Sequence, residues 1–140
     1  MRDNAPTARL ASGLVLALSC AACSSPAAPP SGVVAVTSAS GALRVEVRTS
    51  PQPPVRGTNG AELTVTNVAD GTPRDGLTVA VVPWMAAMNH GSSTIPTVTA
   101  AGGGRYEVAD LDLFMPGHWV LRADFSGPVQ DHAEPALDIP

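Results

Sequence analysis

Apolar and polar positions alternate with a period of two along most of the chain, and that pattern predicts strands. Leu43, Val45 and Val47 alternate with Arg44, Glu46 and Arg48, as in a strand with one buried face. Residues 63–68 (LTVTNV) read as the next strand and residues 77–84 as a valine-rich central one. Residues 94–101 are β-branched and follow a break at His90 and Gly91. Gly102, Gly103 and Gly104 then predict a hairpin turn, because glycine supplies the positive φ that tight hairpins need. Residues 105–109 pair back across it. Trp119, Leu121, Ala123 and Phe125 share one face of a further strand, and residues 134–139 make a closing one. Residues 51–60 and 70–76 are rich in turn formers and read as connections. About seven short strands, each with a face to bury, predict an all-β fold of two packed sheets, with a small barrel as the alternative.

The N-terminus follows a different rule. Residues 1–9 carry Arg2 and Arg9 against Asp3, residues 10–18 (LASGLVLAL) are apolar or small, and small residues follow with Cys20 and Cys23. A basic start, a short apolar run and a small-residue exit make a secretory signal, and the run is shorter than the roughly 20 residues that span a bilayer. The exit resembles a lipobox, the lipidation signal of bacterial lipoproteins. Cys23 follows Ala21 and Ala22, which fits; Cys20 follows Leu18 and Ser19 and fits less well. The expectation is a signal peptide over residues 1–22, lipidation at Cys23, a flexible tether over 23–40 and a folded domain over 41–140. An ordinary secreted protein, cut after a small residue, is the alternative. Residues 24–31 are rich in Ser, Pro and Ala, a composition that buries too little apolar surface to order itself; strand character begins at Val33.

Charge narrows the partners. The chain has 8 arginines, no lysine and 12 acids. Loss of residues 1–22 removes Arg2, Arg9 and Asp3 and leaves 6 basic and 11 acidic groups on 118 residues. Such a domain is poorly suited to nucleic acid, whose binding rests on neutralising phosphates. It is equally unsuited to anionic lipid through charge. No cysteine follows Cys23, so no disulfide forms inside the domain and any soft-metal site must use Met or His.

Those residues cluster. Met85, Met88 and His90 lie in WMAAMNHG; Met115 and His118 lie in FMPGHW. Thioether and imidazole together suit Cu(I), a soft ion, and neither is lost to disulfide formation in an oxidising compartment. Both clusters sit at strand ends. Five donors converge if those ends are one end of the sandwich. The plainer reading is that methionines fill irregular core gaps and the histidines are solvated turn residues. His132, beside Asp131 and near Glu134, reads as solvated. Pro116 and Gly117 suit a type II turn, Trp119 a buried strand start, and Tyr106 a corner residue whose hydroxyl binds backbone.

The stretch from residue 80 to residue 125 resembles the YtkA-like family and the related FixH-like proteins. The resemblance lies in PWMAAMNHG at 83–91, GRY at 104–106 and MPGHW at 115–119. It implies an immunoglobulin-like two-sheet β-sandwich, often lipid- or membrane-anchored, and for FixH-like relatives a link to metal handling. In outline the domain is also similar to CopC-type copper-carrying sandwiches, which use Met and His donors. By the motif, Met85, Met88 and His90 carry over most directly; Met115 and Gly117 match but also serve the turn, and His118 occupies a variable position. An enzyme is not expected. Ser92 and Ser93 lie too close in sequence to His90 for a triad, no nucleophile elbow exists, Asp110 and Asp112 read as solvent-facing, and the glycine triplet is followed by no phosphate-binding helix. Two functions remain: a copper-binding module in the cell envelope, held at the membrane by its lipid, or a non-catalytic module that docks an envelope protein and holds no metal.

Overall fold

The computed structural model describes residues 32–140. The signal peptide, Cys20, Cys23 and residues 24–31 therefore lie outside the described residues. The alternation that begins at Leu43 becomes the pleat of β2 (Leu43–Ser50), with Leu43, Val45, Val47 and Thr49 buried and their neighbours turned outward. β2 pairs with β1 (Val33–Thr37) on one side and β3 (Gly57–Asn67) on the other, both antiparallel. β3 pairs in turn with β7 (Arg105–Leu113), and β7 with β6 (Thr97–Gly102). This first sheet has the order β1-β2-β3-β7-β6.

The second sheet is built on β8 (Gly117–Ser126), which pairs antiparallel with β4 (Thr78–Met85). β5 (His90–Gly91) flanks β4; β9 (Asp131–Ala133) and β10 (Ala136–Ile139) share the other side of β8. Seven of the strands have five residues or more; β5, β9 and β10 are shorter. The sheets stay open at their edges and face each other as a sandwich, with no closed barrel. Leu63, Val65, Tyr106, Val108, Leu111 and Leu113 from one sheet meet Val81, Met85, Trp119, Leu121 and Phe125 from the other in one core. Trp119 is its largest member; burying an indole of about 200 Å² contributes about 5 kcal/mol.

Three boundaries differ from the sequence expectation. The tether drawn to residue 40 is too long, because Val33–Thr37 is already an edge strand, with Val33 opposite Arg48 and Thr37 opposite Arg44. The connection drawn over 51–60 ends at residue 56. The turn-forming residues that follow are held in β3 by pairing with β7 and by Asn59, whose side-chain oxygen accepts from the Val55 amide and whose nitrogen donates to the Val55 and Gly57 carbonyls. β7 runs four residues past Ala109. A register shift between Asn59 and Ala61, with Asp110 at φ 59°, resets its alternation so that Leu111 and Leu113 both point inward. Asp110 is therefore exposed and Asp112 half-buried, out of the simple alternation their spacing implies.

The corner and turn expectations hold. The Tyr106 hydroxyl accepts from the Leu77 amide at 3.2 Å and donates to the Arg74 carbonyl at 2.8 Å. Gly103 and Gly104 take φ of 65° and 73° in the β6–β7 hairpin, and a Cβ on Gly104 would collide with the Val65 carbonyl.

Candidate metal centre

β4 carries the first Met/His segment to one end of the sandwich. Val81, Pro83 and Met85 face inward, and a single 3-10 turn (Ala86–Met88) follows. Asn89 then reverses the chain at φ 51°, a left-handed conformation that asparagine tolerates. The chain does not break at His90 and Gly91, as the sequence suggested; those residues return along β4, His90 opposite Met85 and Gly91 opposite Trp84. A Cβ on Gly91 would lie 2.7 Å from the Pro83 carbonyl and 3.2 Å from the Trp84 ring, so only glycine allows this close return.

The second segment is the β7–β8 connection, at the same end. β7 finishes at Leu113 and β8 starts at Gly117, with Phe114, Met115 and Pro116 between. The Trp119 indole N–H donates to the Met115 carbonyl at 2.9 Å and anchors the turn to the core. The Phe114 ring meets Trp119 edge-on, with centroids 5.4 Å apart, and stacks on the His90 imidazole at 5.7 Å and 18°. The Met85 methyl lies 3.5 Å from where a Gly117 side chain would begin. Tertiary structure thus joins two segments about 25 residues apart, through a stack of His90, Phe114 and Trp119.

The five predicted donors are not equivalent. Met85 is 3% exposed and belongs to the core, whereas Met88 is 55% exposed on the 3-10 turn. His90 is half-buried, with Nδ1 at 3.2 Å from the Gly91 carbonyl. When Nδ1 carries the proton for that contact, the Nε2 lone pair is the one offered to a metal. Met115 is half-buried and rests against the core. His118 stands apart: Trp119 points inward, so His118 faces out from the sheet, where its Nδ1 lies 2.8 Å from a carboxylate oxygen of Asp138. The His90–Phe114 stack therefore brings the segments that carry Met88, His90 and Met115 to the same end of the sandwich, with Met85 in the core and His118 on another face.

Phe114 and Asp138 were not singled out from the sequence. Phe114 precedes Met115 directly, and an aromatic beside a Met/His cluster is a usable signal. Asp138 becomes His118's partner only through the β8–β10 register. Among the described residues no three His, Cys, Asp or Glu side chains group as metal ligands, so a metal here relies on thioether sulfur. A depression of about 610 Å³ on the outer face of the first sheet, around Arg48, Gly60, Glu62 and Glu107, contains none of the Met/His donors.

Fold and site together define an all-β sandwich with methionine and histidine gathered at one end. The YtkA-like family model matches residues 37–124, from the end of β1 into β8 and across both Met/His segments, and the chain belongs to that family. Comparisons with curated proteins and with solved structures give no significant match.

Proposed function

We propose that this chain is an exported, lipid-anchored module of the cell envelope that binds Cu(I) through Met88, His90 and Met115 and carries out no catalysis. The observation that carries the proposal is the stacking of His90 on Phe114, which sets the two Met/His segments side by side. Two thioethers and one imidazole make a soft, neutral donor set suited to a monovalent copper ion in an oxidising compartment. Met88 is the exposed donor through which copper enters and leaves; Met85 supports the site from the core. The anchor in this reading is Cys23.

The test is Cu(I) titration of the exported chain against a competing chelator. Met88→Ala, His90→Ala and Met115→Ala are each expected to weaken binding by about tenfold or more, a loss of at least about 1.4 kcal/mol. His118→Ala should leave the affinity unchanged. Equal affinity in all four variants, or no binding by the parent chain, would sink the reading.

A second reading has its own support. Met85 sits in the core and His118 stands on the outer face of β8 beside Asp138, so two of the five donors lie apart from the other three. The remaining apolar surface then serves to dock an envelope protein without metal. The absence of Cu(I) binding in the parent chain is the outcome that favours it.

A further inference from the structure

The two ends of the sandwich differ in a way that copper binding does not require. One end holds the β2–β3 loop (residues 51–56), the segment after β4 (residues 86–96) and the β7–β8 connection (residues 114–116). Among the described residues, four of the six exposed large apolar side chains lie in these segments: Val55, Met88, Ile95 and Phe114. Val55 lies in the β2–β3 loop, Met88 on the 3-10 turn and Phe114 in the β7–β8 connection, while Ile95 lies on the segment that leads to β6. Arg56 is the sole Asp, Glu, Lys or Arg in the three segments. The nearest carboxylates, Asp112 and Asp138, face outward from the two sheets. The opposite end carries Asp70, Arg74, Asp75 and Asp131 in its turns and β9. An acidic chain has therefore kept acids off the turns of one end and tipped that end with apolar groups.

The chain also enters at that end. Val33 begins β1 opposite Arg48, two residues before β2 finishes, so residues 1–32 join the sandwich beside the 51–56 loop. The ten residues from Cys23 to Val33 span at most about 35 Å, close to the length of an eleven-residue strand. A lipid on Cys23 would bring this end to the bilayer first.

We propose that this end of the sandwich docks on the lipid bilayer itself, with Val55, Met88 and Phe114 entering the headgroup region and Ile95 following at the rim. Apolar side chains on otherwise uncharged loops gain by leaving water for the interface, and their attachment is insensitive to salt because it does not rest on charge. The tether makes the encounter intramolecular and so removes most of its entropic cost. The candidate copper site then faces the membrane surface. The proposal rests on the lipid anchor at Cys23 in the reading above, but not on its copper site.

The test compares two matched valines. Val55 lies at the proposed docking end and is 42% exposed; Val68 lies at the other end and is 52% exposed. The full chain, purified as the cell processes it, carries either Val55→Cys or Val68→Cys labelled with an environment-sensitive fluorophore. It is reconstituted with phosphatidylcholine vesicles whose acyl chains bear bromine. Any label on Cys20 or Cys23 gives a background common to both variants. The expected result is a blue shift and loss of emission at position 55, retained in high salt, with neither at position 68. No quenching at position 55, or equal quenching at both positions, overturns the proposal. So does protection of position 55 that appears only in protein-containing native membranes, an outcome that assigns the surface to a membrane protein. None of these readings involves copper, so failure here leaves the copper titration unaffected.

Discussion

Methionines 85 and 88 are three residues apart and do different work. Met85 closes the end of the core beside Gly117, while Met88 stands on a turn in solvent. Met85→Ala should destabilise the fold by about 2–4 kcal/mol, the range for emptying a buried methionine site, whereas Met88→Ala should change stability by less than about 0.5 kcal/mol. Urea unfolding of the two variants checks both values; near-equal losses would contradict the placement. Spacing alone makes the pair look alike. Only the change from strand to 3-10 turn at Ala86 turns one side chain inward and leaves the other outside. His118 is a similar case: its motif suggests a ligand, but strand alternation beside Trp119 sends it to the outer face.

At the scale of elements, strand positions were readable wherever one face is buried and the other wet, as in β2 and β8. They were misread where local composition and long-range pairing disagree. Residues 57–60 (GTNG) have turn character yet form β3, because β7 pairs with them and Asn59 braces the turn before them. The end of β7 was missed because the bulge at Asp110 breaks the period-two pattern. The β6–β7 hairpin is the opposite case, since a glycine triplet names its own turn. Gly104→Ala places a side chain at φ 73° against the Val65 carbonyl and should cost about 1–3 kcal/mol. A thermal melt indistinguishable from the parent would contradict the strained geometry.

Across the whole molecule, a carboxylate clasp joins the sheets at the end opposite the Met/His residues. Asp131 on β9 accepts from the Ser40 amide and hydroxyl, at 3.1 and 2.5 Å, and from the His132 amide at 2.9 Å; the Ala39 amide donates to the His132 carbonyl. Burial raises its pKa, but hydrogen bonds from the Ser38 and Ser40 side chains and the Ser40 and His132 amides outweigh that and hold it at about 2. A carboxyl depressed below its ordinary 3.8 adds stability above that value and loses it as pH falls toward 2. Asp131→Asn should therefore cost about 1 kcal/mol at neutral pH, allowing for solvent screening, and progressively less between pH 4 and pH 2. Urea midpoints measured across that range should converge; a constant gap would refute the clasp. The two ends of the molecule thus have different chemistry, acid-clasped at one and apolar with Met and His at the other.

The sequence by itself determined the all-β class, the Tyr106 corner, the glycine hairpin and which Met and His residues are the candidate soft donors. Each follows from a local rule: a period of two, a positive φ or the chemistry of a donor. Tertiary structure alone decided which of those residues meet. His90 pairs opposite Met85 through a two-residue strand, Phe114 reaches His90 from the β7–β8 connection, and His118 turns to Asp138. Register and sheet pairing set these contacts between residues distant in the chain, and a bulge or a single left-handed residue shifts them without leaving a periodic trace.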